Sequence, residues 1–107
     1  MKATPITAPR RKITKKGNLI YVAIWSVDKN KNYHEGIKYS FALISKGKRV
    51  VGYDYNPTEG HHRHYLKEGK LLRKSYKFKS LGDVAKRFNK DSLKYEKDFG
   101  KNENQKS

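Results

Sequence analysis

Three short blocks of apolar and β-branched residues, separated by turn sequences, constrain the fold more than any other feature of the sequence. Residues 19–27 are almost continuously apolar, which is typical of a strand partly buried on both faces. Over residues 37–43 every second side chain is large and apolar, the period of a second strand. Lys46 and Gly47 favour a tight turn before a third strand over residues 49–55. The blocks therefore predict an antiparallel meander.

The second half of the chain predicts one more strand and one helix. Residues 72–78 alternate apolar and basic side chains, which indicates a fourth strand with one solvent-facing side. Ser80 is a favourable helix N-cap, and Asp83 lies in the first turn that follows. The apolar residues beyond it share one helical stripe: Leu81, Val84, Ala85, Phe88, Tyr95. We expect an α+β fold, a small antiparallel sheet of about four strands with one C-terminal helix packed on it.

The composition limits the size of the core. Only 35% of the 107 residues are hydrophobic, so the chain can bury a small core in a single domain. We expect a flexible basic arm over residues 1–17, one domain over 18–99 and a disordered polar tail over 100–107. Trp25 is expected in the core. Cysteine is absent, which excludes disulfides, a thiol nucleophile and a cysteine zinc site.

The charge is large, positive and concentrated. The formal net charge is +16, from 26 Lys and Arg against 10 Asp and Glu. Half of the basic residues lie in segments 1–16 and 61–79, where Glu68 is the only acid. Concentrated positive charge predicts a polyanionic partner, and we expect RNA. No apolar run reaches the ~18 residues that a membrane helix needs, and no secretory signal follows the basic N-terminus. We expect a cytoplasmic protein without a membrane partner.

Three of the four histidines form one cluster: His61, His62 and His64, with Arg63 between them. On an extended segment His62 and His64 face one side, whereas His61 and Arg63 face the other. Imidazole ionises near neutral pH, so two of these groups can serve as acid and base in metal-independent cleavage of RNA. A second interpretation is a metal site that adds Asp54, and a third is a structural or phosphate-binding turn without chemistry.

The first interpretation assigns a role to each candidate. The positive surroundings and the lack of paired carboxylates disfavour a metal, so we expect neither a metal nor a cofactor. His62 and His64 are the expected acid–base pair, with His61 as the alternate and Asp54 orienting an imidazole. The substrate-binding candidates are Arg63 and Arg73 for phosphate, Lys70, Lys74 and Lys77 along the backbone, and Tyr53 and Tyr55 for stacking on bases.

These residues also give the chain a family resemblance. The run from Arg49 through Tyr53-Asp54, the Gly-containing loop, the segment His61-His62-Arg63-His64, the Tyr76-Lys77-Phe78 strand and the helix at Ser80 together resemble the TumE family of toxin–antitoxin systems. Tyr55 stands where the family pattern has asparagine. The resemblance covers about residues 19–95. It implies a toxin that inhibits growth by cleaving RNA and is neutralised by a helix-turn-helix antitoxin.

Two other functions remain compatible with the same residues. A non-catalytic RNA- or DNA-binding module would share the positive charge and the aromatic residues, but would not need three clustered histidines. An adaptor for an acidic protein would bind that partner tightly and RNA weakly. A homodimer is a possible assembly in each case.

Overall fold

The chain folds as an antiparallel meander followed by one helix. The computed structural model describes residues 4–5, 9–31, 33 and 35–100. Its elements in chain order are β1 (Thr4–Pro5), β2 (Arg10–Ile13), β3 (Leu19–Ser26), β4 (Ile37–Ser45), β5 (Lys48–Asn56), β6 (Gly60–Lys67), β7 (Lys70–Ser75), helix α1 (Leu81–Tyr95) and a π-helical turn at Glu96–Gly100. This arrangement confirms the α+β class, with an antiparallel sheet and a C-terminal helix.

The sheet is wider than the sequence predicted. From β3 to β7 each strand pairs with the next one in the chain, and β1 and β2 pair with different parts of the outer edge of β3. The sheet therefore spans six strand positions, and the prediction of about four strands is wrong. Two features explain the difference. The histidine segment is itself a strand, β6, and the N-terminal strands fill one further position.

The core lies between α1 and the central strands β4 and β5. Its buried residues are Tyr39, Phe41, Leu43, Val50, Val51, Tyr53, Val84 and Phe88. Alternate residues of β4 reach this core, as the period of two predicted. The predicted N-cap is confirmed, because the Ser80 hydroxyl accepts a hydrogen bond of 3.0 Å from the backbone N–H of Asp83. No helix in the described ranges is long and apolar enough to span a membrane.

The N-terminal segment is tied to the end of the helix. Within the expected arm, Arg10–Ile13 pairs with β3 through a turn at residues 14–18. The Thr14 hydroxyl and the Asn18 side-chain amide both donate to the carboxylate of Glu96, just beyond α1. Strand β2 was not predicted from the sequence, because its four residues are all exposed and three of them are basic. The predicted polar tail lies outside the described residues from position 101 onward.

Candidate active site

The two faces of the sheet have different surroundings. Helix α1 packs on one face, which we call the helix face, and no described element covers the other, the open face. Side chains alternate between faces along each strand. His61 and Arg63 accordingly lie on the helix face, whereas His62 and His64 lie on the open face with Asp54. This is the division that the spacing of the histidines predicted.

An irregularity in β5 brings a fourth side chain to the open face. The pairing of β4 with β5 shifts register after Leu43, so that Ile44 lies opposite Arg49 and Val50 becomes an extra residue. Without this bulge, Arg49 and Asp54 would face opposite sides, because five positions separate them. With it, Arg49 reaches along the open face to Asp54.

A missing side chain provides the path that Arg49 follows. Gly52 lies between Arg49 and Asp54, and a Cβ atom there would come within 2.8 Å of the Arg49 Cδ atom. The guanidinium then donates to Asp54 Oδ2 over 3.0 Å and to the Ser40 hydroxyl over 3.4 Å. The bulge and the glycine together place a cation on the same carboxylate as a histidine.

That histidine is His64. Its Nε2 atom lies 3.2 Å from Asp54 Oδ2. Burial disfavours the charged form of Asp54, but the hydrogen bonds and charges of His64 and Arg49 outweigh it and hold the pKa of Asp54 below its ordinary 3.8. An ionised carboxylate only accepts hydrogen bonds, so Nε2 of His64 carries the hydrogen in this pair. In the neutral ring, Nδ1 keeps its lone pair and can accept a proton.

His62 is the most buried of the cluster. It is 9% exposed and lies directly opposite Asp54 in the neighbouring strand. Its Nδ1 atom is 3.8 Å from Glu59 Oε2, and Glu59 in turn binds Arg73 through two contacts of 2.8 Å. Among the described residues, buried Nδ1 of His62 and buried Oδ1 of Asp54 both have no hydrogen-bond partner. Unpaired buried polar atoms are uncommon and often mark functional sites.

His61 occupies a different environment on the helix face. Its ring stacks on Phe78 with centroids 4.4 Å apart, Nδ1 lies 2.7 Å from the Tyr39 hydroxyl, and Nε2 lies 3.2 Å from Glu35 Oε1. Burial lowers the pKa of His61 below 6.5, Glu35 partly offsets this, and the nearby charge of His62 lowers it further. Both nitrogens of His61 are therefore engaged on the side of the sheet opposite the other two histidines.

Other candidates also lie on the helix face or at its margin. Asp91 of α1 accepts from the Tyr53 hydroxyl over 2.6 Å and from Arg63 Nε over 3.2 Å. Burial and this carboxylate raise the pKa of Tyr53, a residue that is only 2% exposed. Tyr55 contacts His61 on the same face, and burial raises its pKa. The remaining candidates are exposed lysines of β7 and beyond: Lys70, Lys74 and Lys77.

The open face thus gathers part of the predicted set and adds residues that sequence reasoning missed. Asp54, His62, His64 and Arg73 lie together there, joined by Arg49 and Glu59. The sequence pointed to Arg49 only through its position shortly before Gly52 and Asp54. In a regular strand Arg49 would face the helix, away from Asp54. The expectation that Trp25 belongs to the core is wrong, because it lies on the open face beside Lys38.

Imidazole and carboxylate groups lie together on the open face, an arrangement that can transfer protons. Among residues 4–5, 9–31, 33 and 35–100, no three His, Asp or Glu side chains converge as a metal-binding group. Two imidazoles on one strand face, two positions apart, are separated by about 7 Å along the strand, which leaves room for a phosphate between them. Arg49 and Arg73 lie on the same face, where they can stabilise negative charge.

Comparison with known proteins supports the resemblance drawn from the sequence. Residues 4–95 match the family model described as Toxin TumE, a span that includes every residue of the open-face cluster. No curated protein and no solved structure matches the chain significantly. The matched span covers most of the 107 residues. The chain therefore belongs to the TumE toxin family.

Proposed function

We propose that this toxin is an endoribonuclease that cleaves cellular RNA by metal-independent acid–base chemistry on the open face of its sheet. The observation that carries the proposal is the Asp54–His64 pair, with His62 beside it on the same face. Membership of a toxin family implies a cognate antitoxin, and a helix-turn-helix antitoxin is part of the proposal. RNA is the proposed substrate because the chain carries a net charge of +16.

The proposed reaction assigns one histidine to each proton transfer. His64 Nδ1 accepts the proton of a ribose 2′-hydroxyl, whose oxygen attacks the adjacent phosphorus. The bond from phosphorus to the 5′-oxygen breaks, and protonated His62 donates a proton to that oxygen. The products are a 2′,3′-cyclic phosphate and a 5′-hydroxyl, so atoms and protons balance without a metal. Asp54 holds the His64 ring and stabilises its protonated form.

The charged neighbours have distinct roles in this reaction. Negative charge increases on the phosphoryl oxygens in the transition state, and Arg49 and Arg73 are the open-face cations placed to stabilise it. Arg73 is bound to Glu59, and Arg49 to Asp54, so both guanidiniums are already oriented before RNA binds. Glu59 also lies near His62, where a carboxylate attracts the protonated ring.

The test is cleavage of a labelled RNA in EDTA across a range of pH, beside its all-DNA equivalent. We expect cleavage of RNA only, with 2′,3′-cyclic phosphate ends and a rate maximum near neutral pH. His62→Ala and His64→Ala should each lower the rate about 100-fold or more while binding RNA nearly as well as the wild type. His61→Gln is the matched control from the helix face and should retain most of the activity.

Three results would contradict the proposal. Cleavage at the wild-type rate by both His62→Ala and His64→Ala would remove the acid–base assignment. RNA that is bound but stays intact, even after divalent metal is restored, would support a non-catalytic nucleic-acid-binding module instead. Growth inhibition that persists in the same two variants would point to the same alternative.

A further inference from the structure

The open face carries two aromatic residues that the proposed reaction does not use. Tyr21 and Trp25 lie on β3, and the residues between and beside them, Ile20, Val22 and Ile24, pack against the core from the opposite side. Both aromatic rings are only partly buried. A solvent-facing tryptophan and tyrosine on one strand form a platform on which flat ligands can stack.

A cation lies over each ring. Arg11 Cζ is 5.7 Å from the Tyr21 ring centroid, and Lys38 Nζ is 5.4 Å from that of Trp25. In both cases the cation stands directly across the strand pairing from the aromatic residue. Each unit therefore offers a ring face for a base and a positive group for a phosphate, within one cross-strand pair.

The strand register connects this platform to the candidate active site. Tyr21, Ala42, Gly52 and His64 lie side by side on four neighbouring strands. At about 4.8 Å per strand, Tyr21 is about 14 Å from His64. The two positions between them carry a methyl group and a hydrogen, with Arg49 lying over the glycine. This row of the open face thus carries no large apolar side chain between Tyr21 and His64, and the Arg49 cation lies midway along it.

We infer that the open face binds single-stranded RNA, with bases stacked on Tyr21 and Trp25 and phosphates held by Arg11 and Lys38. The bound strand runs across the sheet toward His62 and His64, and this last point rests on the proposed function. Single strands fit because their bases are free to stack on aromatic side chains, whereas bases in a duplex are already stacked on each other. His62, 9% exposed and with no hydrogen bond to Nδ1 from any described residue, lies at the end of this path.

The single tryptophan makes the inference directly measurable. Trp25 is the only tryptophan in the chain, so tryptophan fluorescence, excited selectively over tyrosine, reports on this site alone. The probe is a short 2′-O-methyl oligonucleotide, which lacks the nucleophile and stays intact, used as a single strand and as a duplex. We expect the single strand to quench Trp25 emission, and the duplex to bind more weakly with little quenching.

Variants separate stacking from simple charge attraction. Trp25→Ala and Tyr21→Ala should each weaken binding of the single strand about tenfold by fluorescence anisotropy of a labelled oligonucleotide, and Trp25→Phe should weaken it less. Tyr65→Ala is the matched control. Arg63 and Lys74 also lie over the Tyr65 ring, at 5.1 and 5.8 Å, but on the helix face, so binding should not change.

The outcomes distinguish this inference from the proposed function. Binding with quenching but without cleavage of ordinary RNA would refute the nuclease and retain the stacking platform. Cleavage with an unchanged KM in Trp25→Ala and Tyr21→Ala would refute the platform and retain the nuclease. Equal losses in Tyr65→Ala and Trp25→Ala, or equal affinity for single strand and duplex, would also overturn the platform.

Discussion

Adjacent histidines in this chain serve different purposes because one peptide bond moves a side chain from one face of the sheet to the other. His61 packs against the rings of Tyr39, Tyr76 and Phe78 on the helix face. His62, its neighbour, lies opposite Asp54 in the strand register, on the open face. The sequence predicted this division from spacing alone. It could not predict which face the helix would cover, because the histidines are polar and carry no apolar pattern of their own.

The pKa of His61 predicts a pH dependence of stability. Burial lowers that pKa below 6.5 in the folded protein, so the unfolded chain binds the proton more readily. The stabilising contribution is present above about pH 6.5 and is lost as pH falls through the lower, folded pKa. We expect the free energy of unfolding, measured in urea, to decrease between pH 7.5 and pH 5. His61→Phe, which keeps the ring stack, should reduce this decrease.

Glu35 supplies the control for that experiment. Its carboxylate partly offsets the effect of burial on His61, so Glu35→Gln should lower the pKa of His61 further and enlarge the loss of stability on acidification. Asp54 titrates in a separate window, since its pKa lies below 3.8. If wild type and His61→Phe lost the same stability between pH 7.5 and pH 5, another group would have to be responsible.

Strand β5 shows how one irregularity in an element can determine the composition of a site. Its apolar residues predicted a strand correctly, and its resemblance to the family rests on the same stretch. The bulge at Val50 was not predictable, because an extra residue leaves the local apolar pattern almost unchanged while it reverses the facing of everything before it. Arg49 was therefore given no role, although it shares a carboxylate with His64.

A side chain at position 52 would block the path of Arg49 to Asp54, so substituting Gly52 tests the role of this contact. In Gly52→Ala the added Cβ would lie 2.8 Å from Arg49 Cδ and 3.2 Å from the carbonyl oxygen of Phe41. We expect the arginine to leave Asp54, and RNA cleavage to fall at least tenfold while the circular dichroism of the sheet is retained. A loss of about 1–2 kcal/mol of stability is expected from the contact with the backbone.

A second background makes the Gly52→Ala result interpretable. In an Arg49→Ala protein the clash with the arginine side chain is absent, so adding Gly52→Ala should cost little further activity. Gly82→Ala, in the first turn of α1, is the matched control, because a Cβ there meets only the Ser80 hydroxyl at 3.8 Å. Fully additive effects of Arg49→Ala and Gly52→Ala would mean that the glycine acts independently of the arginine.

At the scale of the whole molecule, one face of the sheet packs the core and the other carries the proposed active site. Helix α1 covers one face and packs Val84 and Phe88 against the core residues of β4 and β5, while the active-site candidates Asp54, His62 and His64 lie on the other face. Strand periodicity and the helical stripe predicted this layered architecture. The register between strands could not be predicted from the sequence, because it depends on which residues pair across the sheet. The placement of Trp25 on the open face follows from that register and was missed for the same reason.

The division between faces predicts a one-sided response to charge removal. Because phosphate contacts release counterions, the affinity for single-stranded RNA should fall steeply with salt, and each lost contact should lessen the slope by about 0.7. We expect Arg11→Ala and Lys38→Ala to lower both the affinity and this slope. Lys86→Ala, from the exposed side of α1, should change neither more than slightly. Equal changes in all three variants would indicate binding by diffuse charge without a preferred face.

The free edge of β7 has a consequence for the behaviour of the protein at high concentration. All six residues of this strand are exposed, and in the described part of the chain no further strand follows it in the sheet. An unpaired edge can recruit a second chain and begin a fibril. Lys70, Arg73 and Lys74 line this edge, and their mutual repulsion between two copies opposes such growth. RNA bound on the open face, as proposed above, would neutralise Arg73 but leave Lys70 and Lys74 charged, so we expect part of this protection against aggregation to persist in such a complex.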